Sequence, residues 1–320
     1  MENRFFLQFQ EMNDLIEKSN VILIAAHENP DPDAVSSVLA LHNYIKSLGK
    51  KSIPYLPDAP AKNISYLPGF FEIENEIKSF QPDLLICLDY GDFKRLRLPA
   101  EILNCHIITI DHHIESDQRG EVEILGPDFS STAEIIYQWF KFKNININKE
   151  LAVCLLTGII ADSGGFRHVS TSHKTLIAVS DLLTKGVSLN KITRQILSSK
   201  SSLNVSRAWG EVLSRTKIDI NTNLAYSWLE PEDFQRLGVN LADFDGITNI
   251  ISSSSESNIG LFLMEYEKGK IKGSLRSEPN GGKNVAQIAK ALGGGGHLYA
   301  AGFSFEGDRE EVLKKVIKLV

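Results

Sequence analysis

The sequence predicts an α/β protein, in which an amino-terminal domain built on a parallel sheet precedes a smaller α+β domain. Short β-branched runs alternate with amphipathic helices from residue 21 to residue 162, a pattern typical of parallel sheets with right-handed crossovers. Four of the apolar runs lead directly into aspartates or histidines, and open α/β sheets bind ligands beyond the carboxyl ends of their strands. After residue 216 paired strand-like runs indicate hairpins and hence the second domain.

The first domain begins with Met1–Ser19, whose mixed charged and apolar positions predict an amphipathic helix and not a signal peptide. A helix is predicted over Ala34–Leu48, with Gly49 as its stop. Asp33, just before it, is as well suited to cap this helix as to bind a metal. An irregular, partly helical crossover between strands is predicted over Asn63–Gln81. The other predicted elements are strands at Val21–Ala26, Ser52–Leu56, Leu84–Asp89 and Ile107–Asp111, and helices at Ser131–Phe142 and Lys149–Ile160.

A helical region follows the first domain and leads into the second. The polar stretch Ser198–Ser202 interrupts it and is predicted to be a hinge. We expect a catalytic domain over residues 1–185, a helical linker over 186–216 and a second domain over 217–320. The predicted helices are Lys174–Leu183, Leu189–Leu197, Leu203–Thr216, Asn284–Leu292 and Arg309–Leu319, and the predicted hairpins pair Lys217–Ile220 with Leu224–Leu229 and Asn258–Glu267 with Lys270–Arg276.

Composition limits the classes of function. The 320 residues are 42% hydrophobic, enough for a sizeable core, and 34 basic against 40 acidic residues give a net charge of −6. That charge is unfavourable for coating long nucleic acid, so an anionic substrate requires a local basic site. Cys87, Cys105 and Cys154 lie in apolar runs without metal-binding spacing, which is typical of reduced core residues in a cytoplasmic protein. No apolar run is long enough to cross a membrane.

The acidic and histidine side chains after the apolar runs predict a metal centre. They are His27, Asp31, Asp33, Asp89, Asp111, His112, His113 and Asp162. Aspartate and histidine without thiolates suit manganese, magnesium or iron, and so many acids indicate two ions with a carboxylate between them. A network of buried ion pairs is the alternative, which the scarcity of lysine and arginine in these segments disfavours.

A second group of residues, near the carboxyl end, predicts an anion site. Gly293–His297 offers a backbone whose N–H groups are free to turn towards a ligand, although a flexible connector accounts for the glycines equally well. Arg276 is suited to bind a phosphate or carboxylate, and together with His297 it favours the ligand interpretation. The basic segment Lys94–Arg97 is more typical of a solvated face.

Taken in order, these motifs resemble those of the DHH phosphoesterase superfamily, in the branch with a DHH-associated C-terminal domain. The match covers nearly the whole chain, and size and domain order most resemble the group that trims very short RNA and dephosphorylates 3′-phosphoadenosine 5′-phosphate (pAp). Pro32 and Ser36 replace residues that are often glycine in the family. The matching segments are His27-x-Asn-Pro-Asp31-x-Asp33, Asp89, Asp111-His112-His113, Asp162-Ser163-Gly164-x-Phe166-Arg167, Gly294–His297 and Ala300–Gly302.

The resemblance implies a role for each residue. It implies two divalent ions, usually manganese, with magnesium or iron as alternatives. One ion would be bound by His27 and Asp31, the other by Asp33, His112 and Asp162, and Asp89 would bridge them. Asp111 would orient its neighbours, and His113 would stabilise the scissile phosphate or donate a proton. Substrate would be bound by Arg276, Ser277, Gly294, Gly295, Gly296 and His297.

The function implied by the resemblance is metal-dependent hydrolysis of short oligoribonucleotides and pAp. Two other interpretations stay open, a phosphodiesterase for cyclic or linear dinucleotides and a nucleotide-sensing module with an inactive site. A homodimer is compatible with the sequence, and no membrane partner is expected.

Overall fold

A five-stranded, all-parallel sheet organises the first part of the chain, with strand order β2-β1-β3-β4-β5. The computed structural model describes residues 4–77, 80–114, 116–117, 119–196, 202–244, 246–253, 257–277 and 283–320. The sheet consists of β1 (Val21–Ala26), β2 (Lys51–Tyr55), β3 (Leu84–Leu88), β4 (His106–Asp111) and β5 (Val122–Leu125). The interior strand β3 is buried along its whole length, because helices and loops cover both faces of a parallel sheet.

Helices cover this sheet, and their bounds agree closely with the predicted ones. Among them, α2 packs against α3 and α4, and the large side chains of Trp139 and Phe140 fill the core between them. Cys87 and Cys154 are buried in the interior and Cys105 is half-buried, all as free thiols. The helices are α1 (Phe6–Lys18), α2 (Pro32–Ser47), α3 (Thr132–Phe142), α4 (Lys149–Asp162), α5 (His173–Leu183) and α6 (Leu189–Ile196).

The residue that caps α2 is Asp31, so that capping, the alternative to metal binding considered for Asp33, does not apply to Asp33. An Asp31 side-chain oxygen accepts hydrogen bonds from the amides of Asp33 and Ala34, both at 2.9 Å. Pro32 explains the difference, because proline has no N–H and a fixed φ and is favoured as the first helical residue. Asp33 is consequently the second residue of the helix, and its side chain does not cap the helix.

The second part of the chain contains a six-stranded sheet of order β10-β11-β9-β8-β7-β6. Both predicted hairpins are present, since β6 pairs with β7 and β8 with β9 in antiparallel register. The strands β10 and β11 and the short helices α8 and α9 were not predicted. The elements are α7 (Leu203–Ser214), β6 (Lys217–Asp219), β7 (Leu224–Leu229), α8 (Pro231–Leu237), α9 (Ile247–Ser252), β8 (Ile259–Glu267), β9 (Lys270–Ser277), α10 (Val285–Ala291), β10 (Gly295–His297), β11 (Ala300–Glu306) and α11 (Arg309–Leu319).

The glycine-rich segment has a packing function of its own. A Cβ at Gly294 would lie 2.2 Å from the carbonyl oxygen of Gly302, and one at Gly296 would lie 2.5 Å from that of Ala300. Gly296 also has a φ of 144°, which L side chains rarely adopt. These glycines therefore allow β11 to approach closely, whatever they contribute to ligand binding.

The chain divides into two compact units, Met1–Ser199 and Lys200–Val320. Of the segment predicted as a linker, α6 lies in the first unit and α7 in the second. The predicted hinge, Ser198–Ser202, lies outside the described residues except for Ser202. The predicted limits of the domains and of the linker stay a prediction.

No helix within the described ranges is both long enough and apolar enough to cross a membrane. The predicted cytoplasmic location and the homodimer stay predictions.

A buried aspartate in the second unit gives a pH-dependent contribution to stability. Asp233 accepts hydrogen bonds from Arg215 and Arg236, at 2.9 and 2.7 Å, and from the amide of Glu230 at 3.0 Å. Burial raises the pKa of Asp233, but these hydrogen bonds and the arginine charges outweigh it and leave the pKa well below its usual value. The carboxylate thus stabilises the fold above the unfolded pKa of about 3.9, and this contribution disappears as the pH falls through the folded pKa.

We expect Asp233→Asn to lower the free energy of unfolding of this unit by about 1–2 kcal/mol at neutral pH. The difference between the two proteins should shrink as the pH is lowered below about 4. Urea denaturation at pH 7, 5 and 3 measures this. A difference that is the same at all three pH values would contradict the role of the ionised carboxylate.

Candidate metal centre

The predicted ligands come from the carboxyl ends of three neighbouring strands and from two helices. His27 follows β1 and Asp89 follows β3. Asp111 is the last residue of β4, and His112 and His113 follow it. Because β1, β3 and β4 are adjacent in the sheet, their carboxyl ends meet at one edge. The start of α2 adds Asp31 and Asp33, and the last residue of α4 adds Asp162.

The ligand atoms form two principal groups that meet at Asp89. One group contains His27, Asp31 and Asp89 and the other contains Asp33, His112 and Asp162, with the atoms of each group within 4.8 Å of one another. A third group, formed by Asp89 with His112 and His113, links the first two.

The two carboxylate oxygens of Asp89 face different groups. Its Oδ2 lies 3.9 Å from His27 Nε2, while its Oδ1 lies 3.5 Å from His112 Nε2. His27 Nε2 is also 3.7 Å from Asp31 Oδ2, and His112 Nε2 is 3.2 Å from Asp162 Oδ2. Asp89 is thus the side chain whose two oxygens face both groups.

The charges of the cluster fit divalent cations. Burial raises the pKa of Asp33, Asp89 and Asp162, and neighbouring carboxylates raise it further, to about 7 for Asp89. Within the described ranges no lysine or arginine forms an ion pair with these three side chains. Three crowded acids without a lysine or arginine partner repel one another unless a cation lies among them, and oxygen and imidazole donors suit manganese, magnesium or iron.

The N-terminus of α3 and a glycine of α4 hold Asp33 in place. Asp33 accepts hydrogen bonds from the amides of Thr132 at 2.8 Å and Ala133 at 3.2 Å, and a helix N-terminus favours a negative charge. A Cβ at Gly158 would lie 2.4 Å from Asp33 Oδ1. The Thr132 hydroxyl also donates to Asp89 Oδ1 at 3.2 Å. Neither Thr132 nor Gly158 was predicted to belong to the site.

Asp111 lies outside the three groups and organises the loops around them. It accepts hydrogen bonds from the His113 ring at 2.7 Å, from the amide of Gly91 at 2.8 Å and from the Ser116 hydroxyl at 2.8 Å. The hydrogen bond to Asp111 raises the pKa of His113 to about 9, against the opposing effect of burial. Its Nδ1 is engaged with Asp111, which leaves Nε2 as the atom that can transfer a proton.

Arg95 is a further residue that the sequence analysis missed, because the segment Lys94–Arg97 was interpreted as a solvated face. That interpretation is wrong for Arg95, although Lys94 and Arg97 are exposed. The guanidinium of Arg95 is half-buried, with Nη2 3.0 Å from His27 Nδ1. The sequence did contain a signal, because the apolar residues Phe93 and Leu96 on either side of Arg95 indicate that this turn packs against the domain. Both are buried.

Only some of the residues predicted to form the anion site in the second unit line a common cavity. Arg276, Gly295 and Gly296 line a cavity of about 370 Å³, together with Asn249 and Ser274. Arg276 donates to Asn249 Oδ1 at 2.9 Å, whereas the Ser277 hydroxyl donates to the carbonyl oxygen of Lys283 at 2.8 Å. Gly294 and Ser277 are not among the lining residues of this cavity. The side chain of His297 lies outside the described part of the chain.

Known proteins resemble this chain along almost all of its length. Residues 21–159 match the N-terminal domain of the DHH family, and residues 221–320 match the DHHA1 domain. The bifunctional oligoribonuclease and PAP phosphatase NrnA of Thermus thermophilus is 32% identical over 302 residues, which are 93% of this chain and 89% of that protein. The protein of the same name from Bacillus subtilis is 24% identical over 297 residues, 92% of each chain.

A solved structure supports the same assignment. The exopolyphosphatase-related protein from Bacteroides fragilis superposes with a TM-score of 0.88 at 28% identity, covering 98% of this chain and 96% of that one. The predicted fold class and the predicted family are therefore confirmed. The chain belongs to the DHH family of phosphoesterases and carries a DHHA1 domain at its carboxyl end.

Proposed function

We propose that this phosphoesterase hydrolyses short oligoribonucleotides and pAp with two divalent metal ions, manganese being the preferred ion. The observation that supports two ions is the position of Asp89, whose two oxygens face separate groups of ligands. The proposed ligands are His27 and Asp31 for one ion, Asp33, His112 and Asp162 for the other, and Asp89 for both. When bound, two such ions lower the pKa of a water and clamp the oxygens of an in-line displacement.

The remaining roles belong to side chains of the chain itself. Asp111 holds the ring of His113 through Nδ1, at 2.7 Å, and fixes its orientation. With Nδ1 donating to Asp111, a protonated His113 ring would use Nε2–H to donate a hydrogen bond to the phosphate or a proton to the leaving oxygen. Asp33 is held by the amides of α3 and would keep its metal-binding oxygens in place while substrate binds and product leaves.

The proposed substrates are short because the chain offers few places to neutralise phosphates. Its net charge is −6, and affinity for long nucleic acid rests on many cationic contacts. The cavity beside Arg276 has a volume of about 370 Å³, at the lower end of the range of small-ligand sites. We propose that it binds one nucleotide of the substrate.

Turnover of a substrate panel tests this function. The panel comprises RNA of two to five nucleotides, longer RNA, pAp, and linear and cyclic dinucleotides, each with manganese, magnesium and iron. We expect the short RNAs and pAp to be hydrolysed fastest with manganese. Faster turnover of cyclic or linear dinucleotides would favour the dinucleotide phosphodiesterase. The absence of turnover with every ion would favour the nucleotide-sensing module.

We expect Arg276→Ala to weaken the binding of a short RNA about 10²-fold, because a charge-assisted hydrogen bond contributes roughly 2–3 kcal/mol. The slope of log affinity against log salt should become shallower by about one phosphate contact. Metal content should not change, since the proposed ligands all lie in the first unit. The matched control is Arg207→Ala, which removes an exposed arginine of the second unit. An equal loss of affinity in both variants would indicate a general effect of charge and contradict the proposed site.

A further inference from the structure

We propose that Arg95 binds a phosphate oxygen of the substrate in a notch above Gly91, and that metal binding at His27 makes its N–H groups available for this contact. The inference rests on the proposed function, because it assumes a phosphate-bearing substrate and a metal bound by His27. It adds to the site a residue outside the aspartate and histidine motifs.

The backbone around Arg95 is tied to the loop that carries His27. Arg95 lies in a short helical turn, Phe93–Leu96, which Asp92 caps through a hydrogen bond from the amide of Lys94 at 2.9 Å. The carbonyl oxygen of Arg95 accepts a hydrogen bond from the amide of Glu28 at 2.8 Å. The position of the side chain beside the metal centre is therefore set by the fold.

The notch is the space that a side chain at position 91 would fill. A Cβ at Gly91 would lie 3.9 Å from Arg95 Nη1 and 3.8 Å from His113 Cγ. Because Gly91 has no side chain, room for at least one atom remains between the guanidinium and the imidazole. An anion placed there contacts a permanently charged group on one side and the ring of His113 on the other.

Arg95 differs from the other arginines of the neighbouring loops in the groups that its guanidinium contacts. Arg97 pairs with Glu28 and Asp58, and Arg119 pairs with Asp117. The polar contacts of the Arg95 guanidinium are instead the carbonyl oxygen of Tyr90, at 3.3 Å, and His27 Nδ1. Within the described residues no carboxylate forms an ion pair with it, so that its charge is available to an incoming phosphate.

The two contacts of His27 Nδ1 compete with each other. This nitrogen lies 2.6 Å from the carbonyl oxygen of Glu28 and 3.0 Å from Arg95 Nη2. A carbonyl oxygen only accepts and an arginine only donates, so a neutral ring satisfies one of them at a time. If Nδ1 carries the proton, it donates to Glu28. If Nδ1 is unprotonated, it accepts from Arg95.

Metal binding at Nε2 decides between the two contacts. The Nε2 atom faces Asp31 and Asp89, and it binds a metal only through a lone pair, which requires the proton on Nδ1. His27 would then donate to the carbonyl oxygen of Glu28. Arg95 keeps the contact of Nη1 with the Tyr90 carbonyl oxygen, but its Nη2 group would lose its acceptor. Its N–H groups gain a partner again when a phosphate oxygen enters the notch, so that metal and phosphate binding are coupled.

Calorimetric titration of the manganese-loaded protein with inorganic phosphate tests the proposal, with metal content measured by elemental analysis. We expect Arg95→Met to weaken phosphate binding roughly 10- to 100-fold, as the loss of a charge-assisted hydrogen bond implies, and to leave the metal content unchanged. Arg95→Lys should retain part of the affinity, because the point charge remains. Lys94→Met removes an exposed charge of the same turn and should bind phosphate as the unchanged protein does.

Two results would overturn the proposal while leaving the proposed function intact. In the first, loaded Arg95→Met binds phosphate as tightly as the unchanged protein. In the second, the variant loses metal, but its loaded fraction has unchanged phosphate affinity, which would make Arg95 a support for His27 alone. If the unchanged loaded protein itself binds no phosphate and hydrolyses none of the panel substrates, the proposed function fails and this inference fails with it.

Discussion

Asp89→Ala is expected to remove metal from both ligand groups and to lower kcat/KM by about 10³-fold or more. The reason is that the two oxygens of Asp89 face separate groups, so that a single substitution would remove a ligand from each of the two proposed ions. Metal ions contribute several kcal/mol of transition-state stabilisation, and about 1.4 kcal/mol corresponds to a tenfold change in rate. Elemental analysis and steady-state kinetics measure the two effects.

The matched control for Asp89 is Asp31→Asn. Asp31 belongs to one ligand group and also caps α2. Asparagine retains a capping oxygen, whereas alanine would add the loss of a cap, about 1 kcal/mol. We expect Asp31→Asn to weaken the binding of one ion and to leave the other bound. The loss of activity should be smaller than in Asp89→Ala. Retention of both ions by Asp89→Ala would refute the bridging position.

Gly158→Ala is expected to destabilise the first unit by about 2–3 kcal/mol, the cost of overpacking a core. Alanine in a helix interior is ordinarily more stable than glycine by about 1 kcal/mol, so the sign is the opposite of what α4 alone predicts. The added Cβ would lie 2.4 Å from Asp33 Oδ1 and 2.6 Å from Ala133 Cβ. Asp33 would have to move, and metal affinity should fall with stability.

A second glycine in a helix provides the control. Gly210 lies within α7, and among the described residues outside the adjoining turns of this helix no atom lies within 4 Å of a Cβ placed there. Gly210→Ala should therefore stabilise its helix by about 1 kcal/mol. Urea denaturation with and without metal, and calorimetric titration with manganese, distinguish the two. If Gly158→Ala is as stable as the unchanged protein and binds manganese equally well, the close contact with Asp33 does not constrain the site.

Local patterns were sufficient to predict most of the first unit. The predicted strand Val21–Ala26 matches β1 residue for residue, because an unbroken β-branched run between a helix and a Pro-Asp loop has few other conformations. The same applies to the ends of β3 and β4, whose aspartates and histidines come together as the parallel pattern requires. β5 was missed because its four residues are too few to show a periodicity.

The supporting residues of the site could not be predicted in this way. Thr132 meets Asp33 across 99 positions of sequence, and Gly158 matters only because α2 and α4 pack together. Arg95 appears as one basic residue among several until the turn that contains it is folded against His27. In the second unit, β10 and β11 were not predicted, because the glycines of this segment give no alternation of apolar and polar side chains. Roles of this kind depend on tertiary contacts and leave no periodic signal.

The dispersal of the proposed ligands along the chain affects how the protein survives in a cell. The two ligand groups draw on residues from His27 to Asp162. One is complete only when the ends of β1, α2 and β3 have come together, and the other only when those of α2, β4 and α4 have. An unfolded chain then has little affinity for the ions, and a ligand that binds only the native state raises its stability by RT ln(1 + [L]/Kd). Scarcity of the metal would increase the fraction of chains that open transiently and are degraded. The supply of the ion would thus set how long each molecule lasts, in addition to how fast it works.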